Sequence, residues 1–221
     1  MESSQYSILY CDPPWNYDDK AQAGKRGAEF KYPCMTFMQL LDMSSYIESI
    51  SKENSVLYMW STAPMLPDAL CLMGNWGFKY KTMGFVWIKS NKHPFDDWEL
   101  VNIENPFDKR KVLMATITQE SGIYTAGDAM GMGNHTRGNA EFCLLGIKGK
   151  GIKRVDCSVR QVVISPRREH SRKPAEVRTR IETLYGEQDR IELFSREAFS
   201  GWAQHGNEID KFKSAERDIV V

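Results

Sequence analysis

The sequence predicts an α/β fold, an open sheet covered by helices, on three observations. Short apolar runs rich in β-branched and aromatic residues recur along the chain, as at residues 8–10, 55–60 and 142–147. Stretches with helical spacing of apolar residues alternate with these runs, as at residues 36–50 and 174–186. The length of 221 residues suits one such domain. We therefore predict a single domain over residues 1–221.

The composition indicates a soluble protein of ordinary make-up, with 42% hydrophobic and 26% charged residues. No apolar run approaches the roughly 20 residues that a membrane span needs, and the first residues do not resemble a signal peptide. The five cysteines are odd in number and lack CxxC spacing, which argues against a disulfide framework or a zinc site. We expect a cytoplasmic protein with no membrane partner and no metal.

The net charge is zero, but the charges are unevenly distributed. Residues 147–180 contain eleven Lys and Arg against three acidic residues, a local charge of +8. Such a stretch could hold phosphate groups by releasing counterions. A solvated face of a neutral protein is the alternative interpretation.

The first predicted strand ends in an unusual turn. Asp12 follows the apolar run, and Pro13 and Pro14 stop the strand and fix the backbone before Trp15. This places a carboxylate, carbonyl groups and an indole at the carboxyl edge of a sheet, where open α/β sheets bind ligands. Two such acceptors can take both hydrogens of a ring-conjugated amino group and turn its lone pair toward an electrophile, while the indole stacks on the ring. A proline-terminated strand with a structural aspartate is the alternative.

The next elements follow in order. Residues 16–35 are polar and glycine-bearing, which is typical of a lid beside an active site. Thr36 and Gln39 have capping-box spacing and begin a predicted helix that extends to residue 50. A buried strand follows and ends at residues 61–62.

Pro67 is predicted at the first position of a short helix that stops near Gly74. Residues 78–89 alternate well enough for one or two strands. The pattern then degrades, and we predict an insertion for target recognition at residues 90–138, in which residues 112–117 could form an extra strand.

The C-terminal part is predicted to add strands at residues 162–166 and 190–194 around one helix. Pro174 can start that helix, which should end at Gly186. Lys173 would then lie at a helix N-terminus, where an anionic group such as a ligand carboxylate is favoured, although a solvent-facing lysine is the alternative.

The turn sequence Asp-Pro-Pro-Trp resembles the catalytic motif of methyltransferases that act on adenine N6, specifically the MT-A70 family, whose members use S-adenosylmethionine. Further segments match that family in order: Trp-Ser-Thr at 60–62, Trp-Gly-Phe-Lys-Tyr at 76–80, Trp-Ile-Lys at 87–89 and His-Ser-Arg-Lys-Pro at 170–174. The resemblance spans about residues 7–208. It implies a Rossmann-like class I methyltransferase fold, circularly permuted so that the catalytic strand is N-terminal and the cofactor strand C-terminal.

The resemblance also implies roles for individual residues. The catalytic set is Asp12, Pro13, Pro14 and Trp15. The set expected to bind the cofactor is Asp12, Lys173, Phe194, Ser195, Arg196, Asn207 and Glu208. The set expected to contact the nucleic acid is Tyr32, Trp87, Lys89, His135 and Arg137. One departure is Phe199, where some relatives have an asparagine near the ribose, and it puts cofactor affinity in doubt.

Simpler interpretations remain open for several of these residues. Tyr32 could anchor the lid on the core, and Trp87 could be a core tryptophan. Lys89 could be solvated, and Arg137 could pair with Glu141, four positions on.

The expected activity is transfer of a methyl group to adenine N6 of a flipped base. We expect DNA as the partner, because the domain is near-minimal, in a bacterial or phage-infected cell. RNA is the alternative substrate, and a catalytically silent nucleic-acid-binding module with the same fold is the alternative function. A P-loop nucleotidase is excluded, because GxxxxGK[ST] is absent. The sequence leaves the oligomeric state open.

Overall fold

The computed structural model describes residues 5–16, 34–90, 135–167 and 172–206, and the backbone of four two-residue strands between residues 102 and 123. The chain falls into two compact units. The first comprises Met1–Val86, Glu141–Val163 and Ala175–Val221, and the second comprises Trp87–Ala140 and Ile164–Pro174.

Most helices and strands follow one another as the sequence predicts, but the strand at Ala203–His205 was not predicted. The helices are α1 (Phe37–Asp42), α2 (Ser44–Ile50), α3 (Leu66–Asn75) and α4 (Glu176–Tyr185), with a 3₁₀ turn at Ala63–Met65. The longer strands are β1 (Tyr6–Cys11), β2 (Ser51–Ser61), β3 (Lys79–Ser90), β8 (Ala140–Lys148), β9 (Val162–Pro166), β10 (Arg190–Leu193) and β11 (Ala203–His205). The two-residue strands are β4 (Asn102–Ile103), β5 (Val112–Leu113), β6 (Thr118–Gln119) and β7 (Gly122–Ile123).

Seven strands form one sheet in the order β11-β10-β1-β2-β8-β3-β9. Strand β1 lies parallel to both β10 and β2, β11 lies parallel to β10, and β8 runs antiparallel to β2. The predicted α/β fold is therefore confirmed. The circular permutation that the resemblance implies stays a prediction.

The centre of the first unit is apolar on both faces of β1. Ile8, Leu9 and Cys11 are fully buried, as are Leu57 and Met59 of β2. Burying a side chain of this size stabilises the fold by about 1.5–3 kcal/mol. A near-continuous apolar strand is what a sheet covered on both faces requires, so the apolarity of β1 agrees with its place between β10 and β2.

The predicted helix over residues 36–50 is divided in two. Its N-terminal capping box is confirmed, because the Thr36 side chain accepts from the Gln39 N–H while the Gln39 side chain accepts from the Thr36 N–H. At Met43 the N–H donates to the carbonyls of Leu40 and Leu41, which tightens the turn and ends α1. Leu40 of α1 and Ile47 of α2 are both fully buried on either side of this break.

The other helices begin within two residues of their predicted starts. Helix α3 begins at Leu66 after the 3₁₀ turn, so Pro67 occupies the second position and not the first. Helix α4 begins at Glu176, two residues after Pro174, and Ala175 is its N-cap. The predicted end of α4 is confirmed at Gly186, which has φ of 67° and no side chain to strain that conformation.

The second unit contains Trp87 and the predicted recognition segment. Strands β4 and β5 pair antiparallel, as do β6 and β7. The extra strand predicted at residues 112–117 corresponds to β5, which is two residues long. Most of the predicted insertion at residues 90–138 lies outside the described residues, and its function stays a prediction.

The basic stretch at residues 147–180 is not one solvated patch. Strand β8 runs antiparallel to β2, so Phe142 pairs with Ser61 at the C-terminal end of β2, whereas Lys148 pairs with Ser55. Lys148 therefore lies toward the other edge of the sheet, away from Ser61. Helix α4 contributes Arg178, which is 4% exposed and paired with two glutamates, so it cannot face a phosphate. The local charge of +8 therefore overstates the charge available to a nucleic acid. No helix in the described parts of the chain is long and apolar enough to cross a membrane.

Candidate active site

The turn that follows β1 is closed by its own backbone. The Trp15 N–H donates to the Pro13 carbonyl at 2.8 Å, which makes a three-residue turn centred on Pro14. The fixed φ of proline suits that conformation. Pro13 is buried, and the Asp12 carboxylate beside it is half-buried. A carbonyl oxygen has two lone pairs, so the Pro13 oxygen can accept a second hydrogen bond from a ligand.

Trp15 anchors this turn in the core. Its indole is 4% exposed, and its Nε1–H donates to the Trp60 carbonyl of β2 at 3.2 Å. On the other side the Met35 N–H donates to the Pro14 carbonyl at 3.0 Å, in a parallel bridge between Trp15 and Met35. What the structure describes for Trp15 is therefore a packing and anchoring role. Stacking of its ring on a target base stays a prediction.

The turn that follows β10 lies beside the Asp12 turn. Cys11 and Leu193 are register partners in the parallel pair of β1 and β10, so the next residues, Asp12 and Phe194, leave the same edge of the sheet. Phe194 has φ of 60°, the left-handed conformation that is costly for a residue with a side chain. This reverses the chain at the carboxyl end of the strand. Backbone strain of this kind clusters at ligand sites.

Strand β11 holds this second turn closely. The Ser195 N–H donates to the His205 carbonyl at 3.2 Å, and the Ser195 hydroxyl donates to the Glu197 carbonyl at 2.7 Å. A Cβ at Gly206 would lie 2.3 Å from the Ser195 carbonyl oxygen, so this position needs glycine. Arg196 follows as a half-buried residue. The predicted residues Phe194, Ser195 and Arg196 thus form one compact turn next to Asp12.

A buried charged cluster, formed by Arg178, Glu192 and Glu197, lies beneath this edge and was not predicted. Arg178 Nε and Nη2 each donate to Glu192 at 2.7 Å, and Nη1 donates to Glu197 at 3.0 Å. All three residues are at most 7% exposed. The guanidinium lies 5.7 Å from the ring centre of Tyr10 and 5.2 Å from that of Phe199. Phe199, the departure from the family pattern, therefore covers the cluster.

The protonation of this cluster reflects burial and an excess of carboxylates. Burial raises the pKa of the Glu192 carboxyl, Arg178 opposes the rise, and the charges of Glu197 and Asp12 add to it. Burial lowers the pKa of the Arg178 guanidinium, but its contacts with Glu192 more than offset this, so its pKa lies above the usual value. Burial likewise raises the pKa of the Cys11 thiol, which stays protonated.

Sequence signals for the cluster do exist. Glu192 is a charged residue inside a four-residue strand whose other members pack in the interior, and a buried carboxylate needs a partner. Arg178 is three residues from Ile181 and seven from Tyr185, so it borders the apolar face of α4. A cation and an anion on two buried faces indicate a buried pair, but only the tertiary structure says that they meet.

The remaining predicted residues belong to the second unit or are not described. Trp87 is 4% exposed and donates through Nε1 to the Ser165 carbonyl at 2.9 Å, which agrees with the alternative of a core tryptophan. The Lys89 ammonium lies 5.2 Å from the centre of the Trp87 ring. His135 and Arg137 are exposed, and Lys173 is half-buried two residues before the N-cap of α4. Their contacts with nucleic acid or cofactor stay predictions.

Tyr32, Asn207 and Glu208 lie outside the described residues. Among the residues that the structure does describe, no group of three or more His, Cys, Asp or Glu side chains could hold a metal ion. The candidate site is therefore the pair of adjacent turns at residues 12–15 and 194–197.

Comparisons with known proteins show which family the chain belongs to. The model of the MT-A70 family matches residues 6–105 and 95–208. The type II methyltransferase M.MunI of Mycoplasma sp is 30% identical over 226 residues, which cover 95% of this chain and 80% of that protein. The human N(6)-adenosine-methyltransferase catalytic subunit METTL3 is 22% identical over 98% of this chain but only 30% of its own length. An MT-A70-like protein of Oryza sativa, named a probable N(6)-adenosine-methyltransferase, is 22% identical over 23% of its length.

This chain therefore spans most of the Mycoplasma protein and less than a third of the human and plant proteins. The family match extends over nearly all of the chain and includes both turns of the candidate site. The chain belongs to the MT-A70 family and is a methyltransferase.

Proposed function

We propose that the protein transfers a methyl group from S-adenosylmethionine to N6 of adenine in DNA. The observation that carries the proposal is the adjacency of two turns at one edge of the sheet. Asp12 and the Pro13 carbonyl leave β1 where Phe194 and Ser195 leave β10, because Cys11 and Leu193 are register partners. A nucleophile held by the first turn and a methyl donor held by the second would meet at this edge.

The residues at this edge fit a sulfonium donor. The carboxylates described at this edge are Asp12, Glu192 and Glu197. The negative charge of Asp12 helps to raise the pKa of the Glu192 carboxyl. Arg178 and Arg196 balance two of these three negative charges, so one remains and the surroundings favour a cation. The half-buried ring of Phe194 offers an apolar face to an adenosine moiety. S-adenosylmethionine would supply the methyl group and would leave as S-adenosylhomocysteine, while the methylated amine would lose one proton to water.

The chain's own groups would activate the acceptor. The N6 lone pair of adenine is delocalised into the ring, so the free amino group is a poor nucleophile. Asp12 and the Pro13 carbonyl accept the two amino hydrogens and direct the lone pair away from the ring. Trp15 fixes the turn through its hydrogen bond to Trp60, which keeps both acceptors in place. Correct alignment of the reactants can supply as much as about 7–11 kcal/mol of the barrier reduction.

DNA is the proposed substrate because the Mycoplasma type II methyltransferase is more similar in sequence than the human relative. The identity is 30% with the Mycoplasma protein and 22% with the human N(6)-adenosine-methyltransferase. Adenine N6 as the target is supported by the activity for which the human and plant relatives are named. We propose the cytoplasm of a bacterial or phage-infected cell as the setting.

The test is a methyl-transfer assay with matched substrates. The protein is incubated with methyl-labelled S-adenosylmethionine and with DNA or RNA of the same adenine-containing sequence, in single- and double-stranded form. Digestion and nucleoside mass spectrometry should find N6-methyladenine in the DNA. Label in the RNA alone would establish the RNA alternative. A protein that methylates neither polymer and gains no thermal stability from the cofactor would be the silent module.

A further inference from the structure

Arg178 stands out as a buried cation outside the predicted catalytic set. It is 4% exposed, and its guanidinium makes three charge-assisted hydrogen bonds, two to Glu192 and one to Glu197. The two bonds to Glu192 have the parallel fork geometry that only arginine provides. Such an arrangement holds two carboxylates in fixed directions.

The two carboxylates belong to different parts of the chain at the edge of the sheet where β10 ends. Glu192 is in β10 and is the register partner of Tyr10 in β1, two residues before Asp12. Glu197 is in the turn that follows β10, where its carbonyl also accepts from the Ser195 hydroxyl at 2.7 Å. One arginine on α4 therefore joins the strand to the turn that leaves it.

Two aromatic rings cover the guanidinium. The ring centres of Tyr10 and Phe199 lie 5.7 Å and 5.2 Å from its central carbon. Cation–π contacts are strongest when water is excluded, as it is around a residue this deeply buried. Phe199 therefore secures the far end of the turn through Arg178.

The turn has an internal hydrogen bond from the Ser195 hydroxyl to the Glu197 carbonyl and one from the Ser195 N–H to β11, but it also contains a strained residue. It begins at Phe194, whose φ of 60° is unfavourable for a side-chain-bearing residue, so outside contacts must compensate. If Arg178 lost its fork, Glu192 and Glu197 would be two buried carboxylates with no shared cation. Repulsion between them would push the turn away from the strand.

We propose that Arg178 is a positioning residue of the methyl-donor site, which fixes the turn at residues 194–199 against β10 and so presets the pocket for S-adenosylmethionine. This rests on the proposed function. The arginine touches neither reactant. Its effect should appear in cofactor affinity, because a preformed turn removes the ordering cost of binding.

The experiment compares Arg178→Lys with Arg180→Ala in the full-length protein. Arg180 is on the same helix, and its partners are Glu176 and the carbonyls of Arg160 and Val162, so the control removes an arginine without touching the turn. The dissociation constant of S-adenosylmethionine is measured by calorimetry well below each melting temperature. The kinetic constants for cofactor and for DNA are measured alongside.

Arg178→Lys should weaken cofactor binding at least about tenfold, the order of one lost charge-assisted hydrogen bond. Its kcat at saturating cofactor and its KM for DNA should stay within about twofold of wild type, because the lost cofactor-binding free energy is the same in the ground state and in the transition state. Arg180→Ala should bind the cofactor like wild type. A purely structural role would lower the melting temperature of Arg178→Lys and leave its cofactor affinity unchanged, and that result would overturn the inference.

A second variant covers the case in which Arg178→Lys fails to fold. Glu197→Gln keeps the fork to Glu192 and removes only the charge on the turn, so it should also weaken cofactor binding with kcat preserved. Unchanged affinity in Glu197→Gln would overturn the inference as well. A wild-type protein that binds no S-adenosylmethionine would refute this proposal together with the proposed function, whereas tight wild-type binding with unaffected variants would refute this proposal alone.

Discussion

The turns after β1 and β10 leave the same edge of the sheet, but they are held in different ways. The first turn closes on itself through the 2.8 Å hydrogen bond from Trp15 N–H to the Pro13 carbonyl, around two prolines of fixed φ. The second turn has a strained residue at its start, Phe194, and depends on a buried arginine from α4. A site can thus combine a locally determined half with a half that depends on distant contacts.

The difference suggests a division of labour. Rigid acceptors are needed where the amino group must be aligned within a fraction of an ångström, and local covalent stiffness provides this. Under the proposed function the second turn holds the methyl donor, which must enter and leave, and a turn held by side-chain contacts can adjust for this. Mutations in the two turns should therefore separate catalytic rate from cofactor affinity.

The largest effect is expected at Asp12. Asp12→Ala should reduce turnover by about a hundredfold or more, the size found when one preorganised polar group is removed from an active site. The protein should remain folded, because Asp12 is only half-buried. Methyl-transfer rates and circular dichroism check both expectations. The matched control is Asp42→Ala, at an exposed position at the end of α1. Retained turnover in Asp12→Ala would refute the assignment of this turn to catalysis.

The next largest effect is expected on stability at Trp15. Trp15→Ala should lower the free energy of unfolding by about 3–5 kcal/mol, as for other buried tryptophans. Trp15→Phe keeps much of the apolar volume but loses the hydrogen bond to Trp60, which should cost about 1–3 kcal/mol. Urea denaturation measures both values.

Trp15→Phe also sharpens the comparison between the turns. It should lower kcat while leaving the dissociation constant of S-adenosylmethionine unchanged, the reverse of the pattern expected for Arg178→Lys. If both variants changed the same constant, the two turns would act as one unit and the division of labour would be wrong.

A smaller effect is expected in the pH dependence of stability. The pKa of Glu192 is raised in the folded protein, chiefly by burial and against the opposing charge of Arg178. The groups that face it also include Glu197, Asp12 and Tyr10. A raised pKa means that the folded state binds the proton more tightly, so this contribution is complete below the ordinary glutamate pKa and is lost as pH rises through the raised value.

The unfolding free energy of wild type, measured relative to that of Glu192→Gln, should therefore fall as pH increases through this window. Denaturant titrations at a series of pH values give the difference directly. A relative stability that rises with pH would mean that the pairing with Arg178 outweighs burial and lowers the pKa.

The smallest expected effect concerns the reactivity of the cysteine thiols toward a modifying reagent. Cys11 and Cys143 are buried, whereas Cys71 and Cys157 are exposed. A thiol reagent should modify Cys71 and Cys157 in the native protein and reach Cys11 only after unfolding, because burial also raises the pKa of Cys11 and disfavours its thiolate. Mass spectrometry of the labelled peptides checks this. Rapid native labelling of Cys11 would show that the edge beside Asp12 opens in solution.

Much of the fold follows from local sequence. The capping box at Thr36 and Gln39, the stop at Gly186 and the buried strands β1 and β2 are set by short-range hydrogen bonds, φ preferences and apolar runs, and all were predicted. Local signals did not predict the break at Met43, because Leu40 and Ile47 have the i, i+7 spacing of one continuous helix. Exact helix starts also depend on such contacts.

The sequence by itself determined the first turn, because two consecutive prolines after an aspartate restrict the backbone wherever the strand lies. It also carried the family resemblance that the comparisons confirm. Only the tertiary structure decided that Arg178 is no part of a basic surface, and that it meets Glu192, Glu197 and Phe199. The physical reason is that the sign of a charge can be read from one residue, whereas burial and pairing depend on residues brought together from separate parts of the chain.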